Sequence, residues 1–528
     1  MENSKKVNLI ISVLFYFLIS TIFYLETFGL NYLDLSSDQL NILPIIEKLK
    51  DTTLFKYDLY LDKVDNVKYY TPFFVKSIKY ISDFFNLNVF SSFSLFFYII
   101  TLFFYLSWHY IYFEFYQNHI SSLFFTIVSK IILWPPGSEL WGLSSLWSFL
   151  PRSVFLAFLP LPFIYINKYL KNKNYLNILI SGLLLGFISN FHPISGILFG
   201  FVLPIIFYAI YFLSKKDFFS KFVILLFFIS FTAGFSFYIL DYFNNISYTN
   251  SIDKKVFDLA IKTRISSVFF DPLKFISSTS NNIKLFIVFT HFVLIFMYLI
   301  KKIRIDLYLI MFFLFSFLTI IFSLSSVYIE KYFYRFTGIN LYISFQYIRN
   351  FKYILFSSFV FFSYIIEYFF NNYFKNIKNK LYFLLLLTTI SLSYISNYNN
   401  NIPTNDSIRY LIPFNKNSFI NYDNELIDII NWINNNTFKD DKFIGPSVLR
   451  ISTKRSIVFD FKGSSMLIEG NKEKFIDWYL KYIQLNNVDN RNKLDLYRSW
   501  GVNYVVTEED LNNGFIIYST TKWKIYKL

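Results

Sequence analysis

Apolar runs of about 20 residues recur along the first 400 residues or so of this chain, and they constrain its fold more than any other feature. A helix of that length crosses a hydrocarbon layer about 30 Å thick. Composition agrees, because the chain is 55% hydrophobic and 16% charged, whereas soluble domains carry roughly 25% charged residues. We therefore predict a polytopic α-helical membrane protein with about 11 transmembrane helices.

Basic residues are concentrated in alternate short loops between these runs, at 168–173, 215–221, 301–304 and 375–380. The positive-inside rule makes those loops cytoplasmic. The first run, 7–29, is too long for a signal-peptide core, so we expect it to be retained with the N-terminus in the cytoplasm. The predicted location is the inner (plasma) membrane, multi-pass, with the C-terminal domain extracytoplasmic.

The net charge of +15 is explained by these loops, so the expected partners include membrane lipids and exclude nucleic acid. The chain has no cysteine and four histidines. Disulfides, thiolate metal sites and a cysteine nucleophile are therefore excluded. No metal-ligand cluster, glycine-rich phosphate loop or nucleophile elbow is present, so no metal site or cofactor is predicted. Binding of a divalent cation by aspartates remains an alternative.

The segment 30–88, between the first two runs, is an acidic loop expected outside the membrane. Asp34 and Asp38 follow the first run directly. Carboxylates at a membrane boundary are costly to desolvate and therefore mark candidate functional sites. Within the loop, 40–50 and 72–85 have helical periodicity and predict helices lying along the membrane surface.

The composition changes near residue 397, which predicts a transmembrane domain at 1–397 and a small α/β domain at 398–528. Residues 424–437, 472–485 and 493–500 predict helices, with Asn424 as a candidate cap for the first. Short β-rich segments predict strands at 442–448, 455–463, 502–508, 514–520 and 523–528.

Several patches resemble the C-type glycosyltransferase superfamily, whose polytopic members take a sugar from a polyprenyl-phosphate carrier. They are Asp34 and Asp38 with the run SDQLNILPIIEKLKD, GLLLGFISNFHPISG at 182–196, and FQYIRNFKY at 345–353. The tail is similar to bacterial members of uncharacterised specificity, through 432–437, 455–463 and 501–506.

The resemblance implies that an aspartate at the outer end of the first span is the base or positions the acceptor. Carried over by position, Asp34 or Asp38 is the catalytic carboxylate. Many members have two adjacent acids here, whereas this chain separates them by three residues, LSS. The alternatives are a helix cap for Asp38 and a solvated interfacial residue for Asp34.

Basic residues in the outer loop before residue 351 are the predicted ligands of the carrier phosphate: Lys331, Arg335 and Arg349. Guanidinium groups match phosphate oxygens in geometry and charge. The alternative is contact with lipid headgroups.

Two further residues are candidate substrate ligands. Asp58 lies in FKYDLY, where a structural role in the loop is the alternative. His192, in NFHPISG, is a candidate proton carrier or phosphate ligand, and its alternative is a turn residue before proline. Glu139 and Arg152 flank another turn, where we expect a structural salt bridge.

The first hypothesis is therefore a membrane glycosyltransferase. It would transfer a sugar from a polyprenyl-phosphate donor to a cell-envelope glycan, lipid or protein on the outer face. One alternative is a transporter or flippase of lipid-linked glycans, which the absence of obvious inverted repeats disfavours. The other is a non-catalytic envelope assembly protein.

Overall fold

The structure, a computed structural model, describes residues 2–35, 37–136, 139–214, 220–244, 253–303, 306–338, 340–398, 411, 423–511 and 514–528. Part of the predicted cytoplasmic charge, at 215–219 and 304–305, lies outside these ranges, as do residues 399–410. The predicted domain boundary at residues 397 and 398 therefore stays a prediction.

The described part of the chain is predominantly helical. Its helices up to residue 214 are α1 (Glu2–Thr27), α2 (Ser37–Lys50), α3 (Pro72–Phe85), α4 (Val89–Tyr116), α5 (His119–Ser129), α6 (Pro151–Phe158), α7 (Pro160–Asn172), α8 (Tyr175–Ser189) and α9 (Pro193–Ser214). The helices α2 and α3 confirm the two helical patterns predicted in the loop 30–88.

The next helices follow in the same order to residue 398: α10 (Lys221–Gly234), α11 (Ser236–Asn244), α12 (Lys254–Arg264), α13 (Pro272–Ser277), α14 (Asn281–Leu299), α15 (Leu307–Thr337), α16 (Ser344–Tyr347), α17 (Ile354–Tyr373) and α18 (Lys378–Tyr398). A 3-10 turn, Ile348–Tyr353, joins α16 to α17.

Seven helical segments in the described residues are long and apolar enough to cross a membrane, or eight if the bent pair α10 and α11 is one span. The seven are Val7–Thr27, Val89–Tyr116, Pro151–Asn172, Pro193–Phe212, Asn281–Leu299, Leu307–Thr337 and Ser344–Tyr373. The apolar helices α5 and α8 are shorter. The chain is thus a multi-span membrane protein by length and composition, and the count of about eleven spans stays a prediction.

The chain divides into two compact units, each assembled from separate segments. The helical unit comprises Met1–Glu26, Phe97–Leu240 and Ser266–Asn415. The sheet-containing unit comprises Thr27–Phe96, Asp241–Ile265 and Lys416–Leu528. The loop 30–88 thus belongs to the same compact unit as the C-terminal strands.

Close backbone approach joins α8 and α10 in the helical unit. A Cβ atom on Gly182 would lie 2.7 Å from the carbonyl oxygen of Phe227, and one on Gly186 would lie 2.2 Å from that of Phe231. Two small residues four apart on one helix face allow this contact, as in other membrane helix pairs.

The C-terminal region contains helices α19 (Asn424–Asn436), α20 (Val448–Thr453), α21 (Leu467–Gly470), α22 (Lys472–Asn487) and α23 (Lys493–Ser499), and strands β1 (Lys442–Ile444), β2 (Ser456–Ile457), β3 (Tyr504–Thr507), β4 (Phe515–Ser519) and β5 (Lys524–Lys527). Each of the five predicted strand segments contains a strand and each of the three predicted helix segments a helix, but β1 and β2 are much shorter than predicted. The predicted cap is wrong by one residue, because Asp423 accepts the N–H of Leu426 at 3.2 Å.

The strands form one sheet in the order β2-β1-β3-β5-β4. Strand β1 is parallel to β2 and β3, whereas β5 is antiparallel to β3 and β4. A hydrophobic core is formed by buried side chains from β3, β5, α23 and the segments that adjoin them: Val458, Leu494, Tyr497, Val502, Val505, Leu511 and Tyr526. This core is confined to the sheet-containing unit.

Candidate functional site: a buried cationic cluster

A folded-back segment between α5 and α6 positions a buried glutamate in the helical unit. Pro135 and Pro136 prevent a continuous helix here. Leu133 and Trp141 exchange two backbone hydrogen bonds, of 3.1 and 3.0 Å. Glu139 lies within this fold-back and is 3% exposed.

The fold-back depends on glycine at position 142. Gly142 has φ +99°, and a Cβ atom there would lie 2.3 Å from the carbonyl oxygen of Ile131. A residue with a side chain would therefore be strained and would collide with backbone.

Three cations surround the Glu139 carboxylate. Lys352 donates from Nζ to Oε2 at 2.7 Å, Arg349 Nε lies 3.2 Å from Oε1, and Arg152 Nη1 lies 3.6 Å from Oε2. Arg152 is the second residue of α6, whereas Arg349 and Lys352 come from the 3-10 turn before α17. We call Glu139, Arg152, Arg349 and Lys352 the cationic cluster.

The cluster carries three positive charges and one negative charge, an excess of two. Lys352 is 3% exposed, and the side chains of Arg152 and Arg349 are 19% and 28% exposed. Burial would by itself raise the pKa of Glu139, but Lys352, Arg349 and Arg152 hold that pKa well below its usual range. Uncompensated charge in a low-dielectric site is costly. An anion is the chemical complement of this cluster.

Buried donors beside the cluster also lack partners. Arg152 Nε and Asn350 Nδ2 are buried without a hydrogen-bond partner in the described part of the chain, and Arg349 Nε makes no hydrogen bond although it lies 3.2 Å from Glu139 Oε1. An unsatisfied buried donor costs about 1–3 kcal/mol. Three such donors beside an excess of positive charge are the features expected of an anion-binding site.

His192 extends this site through a hydrogen-bonded chain. Its Nδ1 lies 2.7 Å from Ser195 Oγ. The Ser195 hydroxyl in turn donates to Asn350 Oδ1. Ser195 and Asn350 are fully buried. Burial lowers the pKa of His192 to about 3, and Lys352, Arg152 and Arg349 lower it as well, against an opposing effect of Glu139. The imidazole is therefore neutral at pH 7.

The structure brings together two of the predicted substrate ligands, Arg349 and His192, and adds Lys352 and Asn350, which sequence reasoning missed. The sequence feature that could have indicated Lys352 is its position three residues after Arg349, in the otherwise apolar segment FKYILF. The expected pair of Glu139 and Arg152 is present at 3.6 Å.

Lys331 and Arg335 are not members of the cationic cluster. Both are exposed on the last turns of α15. Lys331 Nζ lies 5.8 Å from the ring centre of Tyr328, and the Arg335 guanidinium lies 5.6 Å from that of Tyr332. Their role in binding phosphate stays a prediction.

Asp34 and Asp38 belong to the sheet-containing unit, and each has a local partner. Asp34 Oδ2 accepts the N–H of Asn31 at 2.6 Å. Burial raises the pKa of Asp34, and the hydrogen bond from Asn31 opposes this effect. Asp38 lies in the first turn of α2 and pairs with Lys462 at 3.1 Å. The side chain of Asp38 is 32% exposed, so its carboxylate can be reached by solvent.

Asp58 is buried, and both its carboxylate oxygens are occupied within the same unit. Oδ2 accepts from Arg450 Nε at 2.7 Å and from the N–H of Ile457 at 2.8 Å. Oδ1 accepts the N–H groups of Tyr60 and Leu61 at 3.1 and 3.2 Å. These contacts favour the structural alternative for Asp58 over substrate binding.

Within the described ranges, no group of three or more His, Asp or Glu side chains is arranged to hold a metal ion. The divalent cation stays a prediction. No protein-family model and no curated protein matches this chain.

Proposed function

We propose that this protein is a membrane glycosyltransferase that takes a sugar from a polyprenyl-phosphate carrier and transfers it to a cell-envelope acceptor on the outer face of the membrane. The observation that carries the proposal is the cationic cluster, with its excess of two positive charges and its unpartnered donors. The family resemblance supplies the reaction class.

Charge balance supports a sugar phosphodiester as the donor. The donor phosphate carries one negative charge, and the polyprenyl phosphate that leaves carries about 1.5 to 2 at pH 7. The negative charge that develops during transfer thus approaches the excess positive charge of the cluster. Preorganised cations that match the developing charge stabilise the transition state more than the ground state.

The acceptor hydroxyl needs a base, and the proposal assigns this role to Asp34 or Asp38. General-base catalysis contributes about 10²–10⁴-fold. The raised pKa of Asp34 makes its carboxylate the stronger base, whereas the partial exposure of Asp38 makes its carboxylate accessible. Each aspartate is therefore tested separately.

The test is sugar transfer from a radiolabelled polyprenyl-phosphate sugar in membranes that contain the wild type, Arg349→Gln, Asp34→Asn or Asp38→Asn. We expect Arg349→Gln to reduce transfer about 10²–10³-fold, the loss found when one transition-state donor is removed. One of the two aspartate variants should lose transfer as well. Arg498→Gln is the matched control, because Arg498 pairs only at the surface, with Asp495 at 2.6 Å.

Unchanged transfer by Arg349→Gln, at equal membrane content, would overturn the role of the cluster. Unchanged transfer by both aspartate variants would overturn the assignment of the base. Movement of the labelled lipid across the membrane without any transfer would instead support the transporter alternative.

A further inference from the structure

His192 presents only one of its two ring nitrogens to the protein. Nδ1 bonds to Ser195 Oγ, and within the described residues Nε2 has no hydrogen-bond partner. The ring packs near Phe155, with 6.3 Å between ring centres. His192 lies in the turn between α8 and α9, and its side chain is partly exposed.

The direction of the hydrogen bonds assigns the tautomer. Ser195 donates its hydroxyl proton to Asn350 Oδ1, so the Ser195 oxygen must accept from His192. Nδ1 of His192 therefore carries the proton, and Nε2 carries the lone pair. A neutral imidazole in this state can take up a proton at Nε2 without rearranging the Ser195 and Asn350 contacts.

Burial, together with three facing cations, keeps His192 neutral while the cluster is empty of anions. The charges that face it come from three elements: Arg152 on α6, Glu139, which opposes the cations, on the fold-back, and Arg349 and Lys352 on the 3-10 turn. Tyr353, on the same turn, is the other titratable group beside Ser195. Three cations against one carboxylate disfavour an imidazolium ion. A bound divalent anion would offset this excess of two positive charges.

We infer that binding of a divalent oxyanion at the cationic cluster is coupled to uptake of a proton at Nε2 of His192, so that the imidazolium becomes a fourth cation facing the anion. This inference rests on the proposed function, since it takes the cluster to be the phosphate site. It also predicts that the cluster distinguishes anions by charge. A dianion binds together with a proton, whereas a monoanion such as a phosphodiester binds with less proton uptake.

Proton coupling makes anion affinity depend on pH with a definite sign. The complex holds more protons than the free protein, so affinity falls as pH rises, by up to about tenfold per pH unit for one proton. In the proposed reaction, the leaving phosphate gains a negative charge, so His192 would gain its proton as that charge develops.

The experiment measures sulfate binding to the full-length protein in a non-ionic detergent by isothermal titration calorimetry at pH 7. Sulfate is a dianion that does not itself titrate near neutrality. Tris and bis-Tris differ in ionisation enthalpy, so the difference in heat gives the protons taken up per sulfate. We expect net proton uptake by the wild type, of up to about one proton per sulfate. His192→Gln should show none and should bind sulfate more weakly.

The matched control is His291→Gln. His291 bonds to Ile287 and Ser316 in α14 and α15, so its replacement should leave proton uptake unchanged. As a second readout, ¹⁵N-histidine NMR of the wild type should show one of the four imidazoles becoming doubly protonated when sulfate is added. That signal should be absent from spectra of His192→Gln.

The outcomes separate this inference from the proposed function. Sulfate binding without proton uptake overturns the coupling and leaves the anion site intact. No sulfate binding overturns the anion site and the inference together. Proton uptake that persists in His192→Gln overturns the assignment to His192.

Discussion

Arg450 is fully buried in the sheet-containing unit, where its guanidinium bridges two carboxylates. Nε donates to Asp58 at 2.7 Å, and Nη1 donates to Asp460 at 2.9 Å. Replacing it with methionine would leave two carboxylates facing each other in a buried site. Because removal of one member of a buried ionic group typically costs 3–5 kcal/mol, we expect Arg450→Met to lower the free energy of unfolding by about that amount.

Chemical denaturation in detergent, followed by circular dichroism, measures this effect. The control is Arg498→Met, because Arg498 pairs with Asp495 at 2.6 Å while their side chains are 49% and 72% exposed. An exposed pair of this kind contributes about 0–1 kcal/mol. Equal losses in the two variants would contradict the structural role given to Arg450.

His192 also predicts a pH dependence of stability. Its folded pKa of about 3 lies below the unfolded value near 6.5. The unfolded chain therefore binds a proton that the folded chain does not, and stability falls as pH decreases from 6.5 towards 3. At pH 5 this difference in proton binding lowers the free energy of unfolding by about 2 kcal/mol at most. His192→Gln should flatten the dependence of the unfolding midpoint on pH between 5 and 6.5, and an unchanged slope would contradict this assignment.

From the sequence, a residue could be proposed for the site only where its own side chain has the required chemistry. Arg349 could be proposed because a guanidinium next to a span suits phosphate. Glu139 could not be identified as the centre of the cluster, because Arg349 and Lys352 are more than 200 residues away. Asn350 and Ser195 meet through a contact between the first turn of α9 and the 3-10 turn before α17, and no local pattern encodes that contact.

At the level of elements, the pair α8 and α10 depends on the absence of side chains at its crossing. A larger residue at Gly186 would meet the carbonyl of Phe231 and the backbone of Gly234. Backbone cannot rotate away as a side chain can, so we expect Gly186→Leu to cost at least about 1–3 kcal/mol. Phe187→Leu is the control, since Phe187 is 41% exposed.

Thermal unfolding in detergent compares the two variants. A midpoint for Gly186→Leu equal to that of Phe187→Leu would show that the helices do not approach as closely as described.

Helices and strands were largely predictable because their periodicity is local. The strands of the sheet and the helices α2, α3 and α22 lie where the sequence placed them. Strand order was not predictable, because β5 lies between β3 and β4 through antiparallel pairing that depends on the whole sheet. The number of membrane spans could not be predicted from local patterns either. The helices α5 and α8 are apolar like the spans but have only 11 and 15 residues.

On the scale of the whole molecule, the C-terminal strands share a compact unit with a segment about 400 residues earlier in the sequence. Among the side-chain contacts that join this segment to the C-terminal region are Asp58 to Arg450, Lys474 to Asp62 at 2.5 Å, and Asn471 to Asn66 at 2.8 Å. A backbone bond from Leu59 to Ile457, of 3.0 Å, extends the association. The sequence suggested a self-sufficient tail because it has strands and helices enough for a core, and it could not reveal these distant contacts.

The association predicts that a fragment of residues 416–528 is unstable alone and is stabilised by a peptide of residues 37–70. Without the peptide, Arg450 keeps Asp460 but loses Asp58 as a partner, and the unfolding midpoint should be low. A ligand that binds only the folded state raises stability in proportion to the logarithm of its concentration, so the midpoint should rise with peptide concentration. A peptide with Asp58→Asn should stabilise less, because it removes the charge that compensates buried Arg450. Cooperative unfolding of the fragment with the same midpoint at every peptide concentration would show that the tail folds independently of the loop.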